Sequence, residues 1–157
     1  TLTPTETRTM EKLDNTLRTI AAPTGRAMLA FIFIMAGWSK IGAYDGTAGY
    51  MEAMGVPGAL LPLVIALELG GGIALLIGYQ ARIVAVLLGG FSLLSGILFH
   101  LLPSFGMEGM AAQGEFIGFM KNLAIAGGMG FVFVHGAGSL SVDRLLARGG
   151  AKGYAAA

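Results

Sequence analysis

The sequence predicts an all-α integral membrane protein. It reads as a four-helix bundle with both termini cytoplasmic, preceded by an amphipathic helix at the membrane interface. Three observations carry this. Hydrophobic residues make up 55% of the 157-residue chain and charged residues only 12%, against about 25% charged residues in an ordinary soluble domain. Four apolar stretches, near 24–42, 59–79, 82–102 and 116–136, each approach the ~20 residues that let a helix cross a hydrocarbon core of about 30 Å. Lys and Arg collect on one side of this pattern, as the positive-inside rule requires.

The first element expected is an interfacial helix over residues 1–22. Thr3-Pro4-Thr5-Glu6 reads as a capping box with proline at the first helical position. Met10, Leu13, Leu17 and Ile20 then recur on one face, and charged residues occupy the other. Such a helix lies on a membrane surface, and Pro23 is expected to break it from the first span. No apolar h-region precedes that span, so it is read as retained rather than as a signal peptide.

The membrane domain is expected over residues 23–145. Lipid cannot satisfy exposed backbone groups, so its four apolar stretches must be helices. Arg8, Lys12, Arg18 and Arg26 precede the first span, Arg82 lies between the second and third, and Arg144, Arg148 and Lys152 follow the fourth. The connections at 43–58 and 103–115 hold no Lys or Arg. Both termini are therefore placed in the cytoplasm. In the first of those loops a short helix is expected, started by Asp45, ended by Gly55 and stopped by Pro57. Pro103 is expected to end the third span. Residues 146–157 read as a cytoplasmic tail that frays after Arg148.

Composition excludes several functions. A net charge of +1 gives no electrostatic case for nucleic acid. The absence of cysteine excludes disulfides, Fe–S clusters and Cys-ligated zinc in this chain. His100 and His135 fall at opposite membrane faces, so they cannot share a haem. Met51/Met54 and Met107/Met110 are spaced for copper but read as the apolar faces of loop helices. No metal is expected, and no covalently bound cofactor.

Glu68 is the main anomaly, because it stands alone in the middle of "LPLVIALELGGGIALLIG". A carboxylate at that depth costs roughly 2.5–3.5 kcal/mol on insertion scales, so it must be paired, neutral or hydrated. Gly71 and Gly72 share its face. The opposite face carries Ala66, Gly70, Ala74 and Gly78 at i+4 spacing, a stripe suited to helix packing. Lys40 and Lys121 lie in the outer halves of the first and fourth spans, each among small residues. A Lys40–Glu68–Lys121 cluster is expected, with Asn122 beside it and His100 at its outer edge as a proton donor. Its excess positive charge invites an anionic or polar ligand such as a quinone headgroup. The alternatives are lysines that snorkel to the interface and a glutamate that joins helices.

The segments "FIMAGWSK", "MGVPG", "LELGGGIALLIGYQAR", "FH" and "KNLAIAGG" together resemble the DoxX family of small bacterial membrane proteins, over about residues 26–145. The resemblance implies a four-helix bundle in the bacterial inner membrane. Some DoxD-type relatives resemble the membrane subunit of a thiosulfate:quinone oxidoreductase. A redox-associated, quinone-linked subunit is therefore expected, with other membrane or redox subunits as partners. The alternative is a non-catalytic structural or assembly subunit. The sequence leaves open whether the chain is itself an enzyme.

Overall fold

The computed structural model describes the backbone of residues 3–154, and their side chains except Thr7, Leu17, Arg18 and residues 149–154. The apolar position expected at Leu17, and the basic ones at Arg18 and Lys152, thus fall outside the described side chains. The architecture is all-helical, with no strand among the described residues. Among the described residues, four helices are long and apolar enough to cross a membrane: α1 (Pro4–Gly42), α3 (Gly58–Ile77), α4 (Ala81–Ser104) and α5 (Gly109–His135). Two further helices are α2 (Tyr44–Ala53) after the first span and α6 (Val142–Tyr154) after the last.

The capping box forms as expected. Thr3 caps the helix, Pro4 is its first residue, and the Glu6 carboxylate accepts from the Thr3 backbone N–H at 2.8 Å. The expected break at Pro23 does not occur, and α1 runs through it as one helix. Proline removes only the bond to the carbonyl four residues back. The neighbouring Thr24 hydroxyl donates to the Ile20 carbonyl at 2.8 Å. At 39 residues, α1 is roughly 58 Å long, about twice the hydrocarbon thickness. Met10, Leu13 and Ile20 are exposed on its amino-terminal part.

Other boundaries moved for physical reasons. Asp45 does not cap α2, whose N-cap is Ala43 with no side-chain bond. The third span ends one residue beyond Pro103, at Ser104. The carbonyl that Pro103 leaves without a helical donor is that of Phe99, and the Tyr50 hydroxyl approaches it at 3.5 Å. The tail does not fray at Arg148, since α6 extends to Tyr154.

The bundle consists of two close pairs. α1 packs along α3, and α4 packs along α5; contact between the pairs is sparser. Ala30, Phe33, Leu75, Ala85, Leu88 and Met129 form the core where they meet. Glycines set the close approaches. A Cβ on Gly72 would fall 3.1 Å from the Ile34 backbone nitrogen, and one on Gly89 would fall 3.0 Å from Met129 Cβ.

The stripe expected from Ala66, Gly70, Ala74 and Gly78 is split, with Gly78 buried against Ser141 and Ala137. Ala66 and Gly70 are exposed, with open space around Gly70. Gly78 lies past the helix end in the left-handed conformation (φ 70°). The cause is a π-helical turn at Ala66–Gly70. Its extra residue per turn shifts the helix face, so i+4 spacing no longer traces a line.

Candidate functional site

Glu68 occupies the middle of that π turn and is 4% exposed. A second π turn, Ile97–Leu101, carries His100. Such turns reposition a side chain against the regular helical frame and are frequent at functional sites. Both intramembrane ionisable residues singled out in α3 and α4 therefore sit on local distortions of their helices.

Lys40 lies in the last turn of α1, where a cation also complements the helix dipole. Its Nζ contacts both carboxylate oxygens of Glu68, at 2.9 Å to Oε1 and 2.7 Å to Oε2. The Oε2 contact is ionic rather than an aligned hydrogen bond, and no donor is aligned on that buried oxygen. Gly37 makes the pair possible. A Cβ there would meet the Leu69 backbone nitrogen at 2.9 Å and Glu68 Cβ at 3.3 Å, so only glycine lets α1 approach the π turn this closely.

His100 pairs with Glu115 of α5, Nδ1 to Oε2 at 2.8 Å. Gly118 provides the seat for its ring, since a Cβ there would fall 2.6 Å from Nδ1. Gly118→Ala is expected to displace the ring and destabilise the protein by about 1–3 kcal/mol. Gly114→Ala, with nothing within 4 Å of the new Cβ, is expected to match or exceed wild type. Thermal unfolding in detergent distinguishes the two.

The expected Lys40–Glu68–Lys121 cluster forms only in part. Lys121 is exposed and makes no ion pair among the described residues, although it lines the same polar cavity. Asn122 donates to the Gly118 carbonyl of its own helix at 3.1 Å and lines that cavity too. An i+4 bond back to the helix is the cheapest partner for an intramembrane amide, so Asn122 does not reach Glu68.

Two cavities meet at the ion pair. One, of about 360 Å³, lies between α3 and α4 beneath α2, with walls that include Leu63, Leu67, Leu94 and Leu98. Leu60, Leu63 and Leu94 at its edge are exposed, so it opens toward the lipid. The other, of about 270 Å³, lies between α1, α4 and α5 and includes Ser92, Lys121 and Asn122. Lys40, Glu68, Phe91, Ser95 and His100 belong to both. The sparse contact between the helix pairs is what leaves these spaces. Tyr50 of α2 stands at the lipid-side cavity and rests against Phe99, with ring centroids 5.7 Å apart. Burial pushes the Tyr50 phenol above its ordinary pKa, and the Glu115 charge acts in the same direction. This hydroxyl therefore keeps its proton.

Sequence reasoning missed a second polar centre, at the end of the bundle where α3 gives way to α4. Arg26 was counted as a flanking charge but is buried. Its guanidinium donates to the carbonyls of Ala137, Leu76 (3.3 Å) and Leu140 (2.7 Å). Asp143 accepts from the Gln80 and Ala81 N–H groups at 2.7 and 3.0 Å, covering the start of α4. No sequence spacing links these residues, since Arg26 and Leu140 are 114 positions apart. His135 lies near this end, stacked on Phe131 and remote from His100.

Known proteins resemble this chain in sequence. An inner membrane protein of Escherichia coli (strain K12), YqjF, is 44% identical over 137 residues, covering 87% of this chain and 97% of its own length. A second from that organism, YphA, is 33% identical over 121 residues, covering 76% of this chain and 85% of its own. CatD of Bacillus subtilis (strain 168), whose name carries a provisional oxidoreductase assignment, is 34% identical over 62 residues, or 40% of this chain and 46% of its own. No solved structure matches. Residues 21–101, which hold Lys40, Glu68 and His100, match the DoxX family; with four spanning helices and near full-length likeness to YqjF, this chain belongs to the DoxX family.

Proposed function

We propose that this protein is a quinone-linked, redox-associated subunit of the bacterial inner membrane, with both termini cytoplasmic. The observation that carries the reading is the lipid-open cavity of about 360 Å³ that ends on Lys40, Glu68 and His100. Ligand sites are mostly apolar clefts with a few convergent polar groups. Apolar walls suit a ring and an isoprenoid-like chain arriving through the bilayer, and the ion pair suits a polar headgroup. The His100–Glu115 pair extends from the cavity toward the connection between α4 and α5, offering a route for protons. Electrons would come from a partner subunit, since no redox group is evident in the sequence. The oxidoreductase assignment in the name of CatD points the same way.

The test is saturable binding of a decyl-substituted benzoquinone, supplied oxidised or reduced, to the protein in lipid nanodiscs. Ser95→Phe fills the space where both cavities meet and is expected to weaken binding about tenfold or more. Leu87→Phe, on an exposed position lining neither cavity, is expected to leave it unchanged. No saturable binding of either redox form, or equal binding by Ser95→Phe, overturns the reading.

A second reading, a non-catalytic structural or assembly subunit, is favoured by one observation. Ala66 and Gly70 form a small-residue patch facing outward from the bundle, where another helix could approach closely. In that case the protein would co-purify with a membrane complex, and Gly70→Leu would release it.

A further inference from the structure

The lipid-side cavity has an unusual hydrogen-bond inventory. Most of its donors are engaged, while one buried acceptor, Glu68 Oε2, has no aligned donor. The Thr47 hydroxyl donates to the Ala43 carbonyl at 2.8 Å, and the Tyr50 hydroxyl to the Phe99 carbonyl at 3.5 Å. Lys40 is held by both oxygens of Glu68. His100 Nδ1 is committed to Glu115. When the ring is neutral and Nδ1–H is donated to that carboxylate, its other nitrogen is an acceptor. Glu68, as a carboxylate, has no proton to give, and its Oε2 lacks an aligned donor although Glu68 is 4% exposed. The Ser95 hydroxyl can turn either way.

From this we infer that the cavity selects a ligand whose headgroup donates a hydrogen bond: a lipophilic phenol or hydroquinone rather than the corresponding quinone. This rests on the reading of the cavity as a site for a quinone-class molecule and adds which form it prefers. A hydroxyl complements the ion pair in both directions. Its O–H donates to the Glu68 carboxylate, and its oxygen can accept from the remaining proton of the Lys40 ammonium. A quinone carbonyl can only accept. It would satisfy Lys40 alone and would bring its own lone pairs against the buried Oε2, which still lacks an aligned donor, and an unmade bond to a buried acceptor is where discrimination is greatest.

The discriminating experiment avoids redox chemistry in its first arm. Binding of 4-decylphenol and of its methyl ether to the nanodisc-embedded protein is compared by calorimetry. The phenol is expected to bind about tenfold tighter, because the ether keeps the acceptor oxygen but carries a methyl group in place of the donor proton. The second arm compares, without oxygen, the decyl-substituted hydroquinone with its quinone, and the same order is expected. In Glu68→Gln the preference is expected to shrink to within about threefold, since the amide adds a donor and loses the charge. The apolar double variant Lys40→Met/Glu68→Met removes it as well and guards against misfolding of the single variant. Phenol and ether binding equally, or the quinone binding tighter, overturns the donor preference while leaving the quinone-class reading intact. No saturable binding of any of the four compounds overturns both.

Discussion

Lys40→Met is expected to destabilise the protein by about 3–5 kcal/mol, the usual cost of removing one partner from a buried ion pair. The variant leaves Glu68, 4% exposed, without the ammonium that contacts both of its oxygens. The informative comparison is with Lys40→Met/Glu68→Met. Well-packed apolar side chains in place of a buried pair are often neutral or stabilising, so the double variant is expected at or above wild type. Denaturant unfolding in mixed micelles measures both. A double variant as unstable as the single one would show that Lys40 and Glu68 are not coupled. In either case, loss of ligand selectivity without loss of fold in the double variant separates the site's function from its stability.

Arg26→Met is the second large effect. Three backbone carbonyls from two distant segments converge on this guanidinium. Hydrogen bonds to a charged group contribute about 1.5–3 kcal/mol each, so a loss of at least about 3 kcal/mol is expected. Arg26→Lys keeps the charge but not the planar fork, and is expected to recover less than half of that loss. Because Arg26 joins α1 to the ends of α3 and α5, accelerated proteolysis between Gly136 and Ser141 accompanies the change. Unaltered unfolding in Arg26→Met would demote these contacts to accessories. This end of the bundle is far from the cavities, so ligand binding by the folded fraction should persist.

Much of this was legible without coordinates, for a clear reason. Lipid allows few backbone solutions, so stretches of about 20 apolar residues almost dictate helices. The capping box at Thr3–Glu6 was equally readable, because it depends only on residues three apart. Glu68 identified itself by cost: a lone carboxylate in an apolar run needs a partner, and Lys40 was available at a compatible depth. The small residues at 66, 70, 74 and 78 do not run along one line, because strict i+4 counting presumes a regular helix and the π turn at Ala66–Gly70 breaks that premise. Lys121 was assigned to Glu68 by depth and by the small residues on its face. Depth does not say how a helix is rotated about its axis.

The sequence by itself determined the solvent, the number of spans and the residues too costly to be accidental, since each follows from composition and local spacing. Only the tertiary structure decided which polar groups meet. It gave Lys40 to Glu68 through the gap at Gly37, gave His100 to Glu115 over the bare Gly118, and left Lys121 on the wall of a cavity. It also drew Arg26 into a knot with carbonyls more than 100 residues away. Those outcomes depend on helix rotation, on two π turns and on which helices pair closely. These are properties of packing between distant segments, and no local pattern encodes them.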